Sequence, residues 1–213
     1  MTDWSAAIKD AMLDGEAEET MDLVRLALAD GMDPNDIVRT MVDGMCAVGR
    51  DYKNGEFYIP DVLLISRASQ AVLYMLRKQV NPELLPSDKG LVMMGTVAGD
   101  LHDIGKNTAR FSLEAEGYKV IDLGIDVVPE VFAKEVAEKR PKVLGISALL
   151  TTTVGEMPKI IKALEKAGVR DSVQVYVSGV PVTRELAERF GADHYCEDAR
   201  DTVDYVNEVF ARG

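Results

Sequence analysis

Cysteine and histidine are scarce in this chain, with two of each in 213 residues. Cys46 and Cys196 stand far apart and form no Cys-x-x-Cys pair, so neither a disulfide framework nor a zinc cluster is expected. Both are expected to be reduced, partly buried thiols. No apolar run approaches the roughly 20 residues that a membrane helix needs, which argues against a membrane partner. The opening Met-Thr-Asp-Trp lacks the basic and apolar stretches of a secretory leader, so a cytoplasmic location is the expectation. Basic residues are in the minority: 24 Lys and Arg face 36 Asp and Glu, for a formal net charge of −12. A surface of that sign repels phosphate backbones and argues against a nucleic-acid partner. What remains is an ordinary globular composition, 47% hydrophobic and 28% charged, in a chain long enough for one large or two small domains.

Two periods divide the chain. Up to about residue 80 the apolar positions recur at helical spacing, as in Ile37, Val38, Met41, Val42, Met45 and Val48. Asp33-Pro34 and Pro60-Asp61 look like helix starts, Gly31 like a stop and Gly55 like a break. Four helices with short connections predict a bundle over 1–85. Residues 81–90, with two prolines, a glycine and polar neighbours, read as a linker. From 90 to 213 short apolar runs alternate with amphipathic helices. Strands are predicted at Leu91–Val97, Lys119–Leu123, Val143–Ala148, Val173–Val177 and His194–Cys196. Helices are predicted at Gly105–Glu116, Pro129–Lys139, Val154–Ala167, Val182–Phe190 and Arg200–Ala211. This α/β alternation predicts a five-stranded parallel sheet of flavodoxin-like (Rossmann-like) order 2-1-3-4-5. A ligand in such a sheet sits beyond the carboxyl ends of strands 1 and 3, where the order reverses.

The loop after strand 1 reads Gly99-Asp100-Leu101-His102-Asp103-Ile104-Gly105 and holds one of the two histidines. A neutral imidazole is a good ligand for a borderline transition metal, and Asp100 can accept the other ring N–H and fix the tautomer. Glycines at 95, 99 and 105 are expected to let the backbone approach a bulky ligand. One histidine makes no protein-only metal site, but it can supply one axial bond to a metal held by a macrocycle. The loop after strand 3 brings Ser147, Thr151, Thr152 and Thr153 among small and apolar neighbours. It suits a ligand with polar edges and a large apolar body, or else caps the next helix. His194 and Cys196 read as core or rim residues of strand 5.

These loops resemble the cobalamin-binding signature of methionine synthase and corrinoid proteins, Asp-x-His-x-x-Gly, then Ser-x-Leu, then Gly-Gly. Asp100, His102 and Gly105 match the first element; 41 residues (106 to 146) precede Ser147 and Leu149, and 28 (150 to 177) precede Ser178-Gly179. Ser178 departs from the pattern, standing where the family has its first glycine. The N-terminal half extends the likeness: Asp43-Gly44-Met45, Tyr52, Gly55-Glu56-Phe57 and Ile59-Pro60 resemble the helical cap over the corrin. The layout is most similar to small corrinoid proteins of methylamine, methanol, glycine betaine and methoxy-aromatic methyltransferase systems.

The resemblance implies a four-helix cap followed by a cobalamin-binding domain. The cofactor would be cobalamin or a related corrinoid, alternating between Co(I) and methylcobalamin states and held base-off, with His102 as the lower axial ligand. Asp100 and Thr153 would complete a proton relay behind it. Gly99, Leu101, Asp103, Gly105, Ser147, Leu149, Thr151, Ser178, Gly179 and Ala199 would contact the cofactor from the sheet, and Tyr52, Ile59 and Val62 from the cap. The implied partners are a substrate-specific methyltransferase, a second methyltransferase acting on tetrahydrofolate or a thiol cofactor, and a reductive activator. The chain would be a methyl-carrying subunit rather than a self-sufficient enzyme, its cap moving about the 81–90 linker. A cobalamin-dependent sensor is the first alternative, but no basic helix-turn-helix segment is visible. A mutase cobalamin subunit is the second, and the methyl-type cap argues against it. A receiver domain wants an aspartate where Ser147 stands, and a flavodoxin wants a phosphate loop where Asp100-Leu101-His102 stands.

Overall fold

The computed structural model describes residues 2–53, 56–80 and 89–212, and within them the side chains at 49, 50, 52, 53, 59, 77 and 78 fall outside the description. The break expected at Gly55 and most of the linker expected at 81–90 lie outside the described residues. Two compact units are present: Met1–Pro86 with Glu114–Glu116, and Ser87–Leu113 with Gly117–Gly213.

The first unit holds helices α1 (Trp4–Leu13), α2 (Ala17–Ala29), α3 (Pro34–Lys53) and α4 (Ile59–Val80). Their starts follow from capping chemistry. The Asp3 carboxylate accepts the Ala6 N–H at 3.1 Å ahead of α1, and Asp33 accepts the Asn35 N–H at 2.7 Å around the proline that opens α3. Each helix then buries one stripe: Ile8 and Met12, Val24 and Ala27, Ile37 and Met41, Ala68 and Leu76. These pairs are three, four or eight residues apart, the repeat that keeps side chains on one helical face.

The second unit alternates strand and helix: β1 (Leu91–Thr96), α5 (Ile104–Ala115), β2 (Lys119–Asp122), α6 (Pro129–Lys139), β3 (Val143–Ser147), α7 (Met157–Lys166), β4 (Gln174–Ser178), α8 (Arg184–Phe190), β5 (His194–Cys196) and α9 (Ala199–Ala211). The strands pair in parallel in the order β2-β1-β3-β4-β5, as the alternation predicts. Most boundaries shift by one to three residues from those expected, and two shifts have a clear local cause. Val154–Glu156 form a 3-10 turn before α7, so the α-helix starts later than the apolar period suggests. Val173 stays outside β4 because Arg170–Ser172 make another 3-10 turn, and the Arg170 guanidinium donates to the Val173 carbonyl at 3.1 Å.

Alternation along the strands sorts the side chains. Met93, Leu144, Ile146, Val175 and Val177 point to one face and pack with Phe132 of α6 and Ile160 and Leu164 of α7. A Cβ at Gly95 would come within 2.8 Å of the Phe132 ring. That glycine therefore admits a core phenyl ring, not the ligand expected from the sequence. On the other face Tyr176 of β4 lies beside Gly145 of β3 and meets Tyr205 of α9 edge-on, with ring centroids 6.2 Å apart. The last rung is small and polar: Thr96, Ser147, Ser178 and Cys196 are register partners across four strands. The chain leaves β1 toward β2 but leaves β3 toward β4, so a crevice opens at the carboxyl ends of β1 and β3.

Candidate functional site

Asp100 and His102 lie in the loop between β1 and α5, beside that crevice. Asp100 is fully buried, a position a carboxylate tolerates only when its lone pairs are used. Its Oδ1 accepts from His102 Nδ1 at 2.7 Å and from the His102 backbone N–H at 3.1 Å. Its Oδ2 accepts from Thr153 Oγ1 at 2.7 Å and from the N–H groups of Leu149 and Leu150 at 2.8 and 3.2 Å. Burial alone would raise the Asp100 pKa. The hydrogen bonds from Thr153, His102 and the Leu149 N–H outweigh it and hold the carboxyl well below the usual carboxylate range. An ionised Asp100 can only accept, so Nδ1 of His102 carries a proton, and in the neutral ring Nε2 keeps a free lone pair. The His102 side chain is 48% exposed, so that lone pair belongs to a ring open to solvent.

The local chain explains this placement. Thr96 donates its hydroxyl to the His102 carbonyl at 3.1 Å, folding the loop back over the end of β1. Asp103 caps α5: its carbonyl accepts the Asn107 N–H at 2.7 Å and its carboxylate accepts the Asn107 amide at 2.8 Å. Thr153 begins the 3-10 turn without capping it, its hydroxyl donating to Asp100 instead. The capping alternative for this threonine is thus answered by geometry. Gly179 has φ +132°, and a Cβ there would fall 1.8 Å from the Ala148 carbonyl oxygen, so no side chain fits against β3. Ser178, the departure from the family pattern, meets no such obstacle: its carbonyl accepts the Ala148 N–H at 3.2 Å.

The loops that follow β1, β2, β3 and β4 expose apolar side chains: Leu101 (67%), Ile125, Leu149 and Leu150, and Val180 (64%). Ser147 and Ser178 are half-buried at the strand ends, Thr151 is exposed, and Ala199 is buried at the first position of α9. Gly105 has open space where a Cβ would stand. In the helical unit Val62 is half-buried in α4, whereas the side chains of Tyr52 and Ile59 lie outside the described residues.

Several supporting residues carried no signal in the sequence. Lys106 is buried with its ammonium 2.7 Å from both oxygens of Asp122, at the end of β2, and Arg110 joins the same carboxylate at 3.0 Å. These pairs anchor α5, the helix that follows the His102 loop. Asp126, in the β2–α6 loop, reaches the same loop from the other side. His194, Cys196 and Asp201 bring ligating atoms within 4.8 Å of one another, a cluster not expected from the sequence. Each member has a structural task. The His194 ring stacks on Tyr205 at 4.2 Å, Asp201 accepts the Glu197 N–H at 2.9 Å, and burial pushes the Cys196 thiol up.

The B12 binding domain family matches this unit over residues 90–206, and a second B12 binding domain family matches residues 4–77. The chain belongs to the B12-binding corrinoid proteins. It is 36% identical to a corrinoid protein of Desulfitobacterium hafniense over 208 residues, 96% of each chain. Among solved structures, this corrinoid protein superposes on the monomethylamine corrinoid protein of Methanosarcina barkeri with a TM-score of 0.73, at 29% identity, covering 95% of this chain and 96% of the other. It also matches a chain of the methanol:cobalamin methyltransferase complex of Methanosarcina barkeri, with a TM-score of 0.61 at 28% identity, covering 99% of this chain and 80% of that one.

The residues present fit a corrinoid. The donor set is one imidazole with a free Nε2, which suits a metal whose equatorial positions are already filled. The exposed leucines and Val180 suit the body of a macrocycle. Ser147 and Ser178, half-buried at the strand ends, suit its polar substituents. Among the described residues, no helix is long and apolar enough to cross a membrane.

Proposed function

We propose that this corrinoid protein carries a methyl group on the cobalt of a B12-type corrinoid, receiving it from a substrate-specific methyltransferase and passing it to a second one. The acceptor of that second enzyme would be tetrahydrofolate or a thiol cofactor, and a reductive activator would maintain the system. The observation that carries the reading is the open His102 ring, its Nδ1 proton fixed by a fully buried, ionised Asp100. Bound, the corrinoid supplies a metal that accepts and releases methyl groups. His102 Nε2 would be the protein atom that holds the metal. Asp100 would hold the ring in the tautomer that leaves Nε2 available and would make that nitrogen more basic. Thr153 Oγ1 donates to the outer oxygen of the carboxylate, so the negative charge is shared along the trio. A proton arriving at His102 Nε2 would occupy the same lone pair that a metal would use, so the two would compete for it.

Leu101, Leu149 and Val180 are proposed to cover the corrin edge and to exclude water beside His102. Gly99, Asp103, Gly105, Ser147, Thr151, Ser178, Gly179 and Ala199 are proposed as the walls around the nucleotide tail. Tyr52, Ile59 and Val62 are proposed as further corrinoid contacts on family likeness alone. The test is an absorption spectrum of protein loaded with hydroxocobalamin and freed of unbound cofactor, wild type against His102→Ala. Retained corrinoid whose axial-ligand bands change in the variant supports the reading. A wild type that holds no corrinoid, or a variant with unchanged bands and full methyl transfer, refutes it.

A further inference from the structure

Asp126 lies in the β2–α6 loop, outside every element of the cobalamin signature. Its carboxylate Oδ1 accepts the backbone N–H of Gly99 at 2.7 Å, and its own N–H donates to the carbonyl of Asp100 at 3.1 Å. The two bonds hold the Gly99–Asp100 segment at both ends, through the N–H of Gly99 and the carbonyl of Asp100. That segment carries the carboxylate that orients His102.

The grip continues a backbone ladder. Thr96 N–H donates to the Gly124 carbonyl and Val127 N–H to the Thr96 carbonyl, both at 3.0 Å, and Val97 bridges Val127. Beyond Val97 the chain turns into the His102 loop, where Gly99 has φ +77° and regular pairing ends. Asp126 carries the connection on there, with both its side chain and its backbone N–H. It does so from φ +53°, a left-handed conformation that L-residues enter at a cost and that aspartate and asparagine tolerate best. Strain kept at a residue whose carboxylate has a specific donor points to a positioning task.

We propose that Asp126 is a positioning residue for the axial histidine: by holding the Gly99 N–H and the Asp100 carbonyl it fixes Asp100, and through Asp100 the tautomer and direction of His102. The metal readout depends on the corrinoid reading above, whereas the tautomer of His102 in cofactor-free protein does not. The substitutions separate backbone from side chain. Asp126→Gly accepts the left-handed conformation and lacks the carboxylate. Asp126→Ala lacks both. Asp126→Asn keeps an acceptor oxygen and the tolerance of φ +53°.

The experiment loads each variant with cobalamin, reduces it to the Co(II) state and reads the nitrogen splitting of the electron paramagnetic resonance spectrum for the His-on to His-off ratio. In parallel, 15N resonance of the cofactor-free variants reads the His102 tautomer, and circular dichroism reads folding. A charge-assisted hydrogen bond lost from the clamp lowers the ratio by about tenfold in Asp126→Gly and Asp126→Ala, with Asp126→Asn close to wild type. The cofactor-free Gly and Ala variants should show a mixture of His102 tautomers where the wild type shows Nδ1–H. A folded Asp126→Gly with wild-type ratio and tautomer overturns the proposal, as does a folded Asp126→Asn that loses both. Wild-type protein without histidine splitting, but with the tautomer shift in the variants, refutes the axial reading and keeps the clamp. Amide exchange of Gly99 in the wild type covers variants that do not fold: exchange as fast as in an unprotected loop overturns the clamp.

Discussion

Replacing Asp100 by Asn keeps the size of the side chain and removes its charge. Five donors converge on the carboxylate: three on Oδ2, from Thr153, Leu149 and Leu150, and two on Oδ1, from the ring and backbone of His102. An amide satisfies one group. With its oxygen turned toward Thr153, its NH2 faces His102 and meets two donors. The ring can adapt by moving its proton to Nε2, which leaves Nδ1 to accept from the amide; the His102 backbone N–H loses its partner. Charge-assisted bonds exceed neutral ones by about 1 kcal/mol each, and a buried orphan donor costs about 1–3 kcal/mol, so the α/β unit should lose roughly 3–6 kcal/mol. That is a large part of a typical domain's stability. The pH dependence fixes the sign. The folded Asp100 pKa lies below the unfolded value of 3.8, so its contribution is complete above that value and is lost as the pH falls below it. Urea unfolding followed by circular dichroism, with amide exchange at Leu149 and Leu150 as the local probe, should show the full gap between wild type and variant at neutral pH. The gap should narrow at about pH 3. The variant should also fail to show a His-ligated cobalt spectrum although His102 is intact, because Nε2 now carries the proton. A stability difference under about 0.5 kcal/mol, or one that is the same at both pH values, refutes the account of Asp100 as an ionised hub.

Thr153→Ala removes one charge-assisted bond and should cost about 1.5–3 kcal/mol in the same unfolding assay, while Thr153→Ser recovers most of it. Gly179→Ala places a methyl group 1.8 Å from the Ala148 oxygen at φ +132°. It should destabilise by about 3 kcal/mol or more, read as a fall in melting temperature, since strain and overpacking add there. Asp122→Asn leaves the Lys106 ammonium, 3% exposed, without its carboxylate. It should cost about 3–5 kcal/mol, more than Lys106→Met, which takes the charge away.

How much of this was legible in the sequence depends on how far apart the cooperating atoms lie along the chain. The Asp100–His102 pair is two residues apart, and a strand followed by a helix leaves such a pair in one loop, so it could be read directly. Strand order followed from the alternation of apolar runs and helices, because a parallel sheet leaves few economical orders. Thr153 is 53 residues from Asp100; composition allowed it to be a helix cap, and only the family likeness tied it to the relay. Gly95 shows a different limit. A glycine in a strand serves whichever face its neighbours crowd, and the Phe132 ring that crowds it comes from a helix more than thirty residues on.

Lys106, Asp122 and Asp126 mark the point where pattern gives out. Lys106 follows a recognised motif, yet nothing local says that a lysine there is buried. Its charge is tolerable only because Asp122, at the end of a strand four residues long, stands 2.7 Å away. Asp126 is one carboxylate among many in an acidic chain, and its distinguishing property is a backbone angle. The motif names the groups that would touch the cofactor. Some of the groups that hold them in place come from the end of β2 and the loop after it, through contacts whose only rule is three-dimensional. Lys106–Asp122 anchors the helix after His102, and Asp126 bonds the Gly99 N–H and the Asp100 carbonyl. The short signature thus works inside a longer-range frame, and a chain with the motif intact but Asp122 and Asp126 replaced should keep its likeness while losing the geometry of His102.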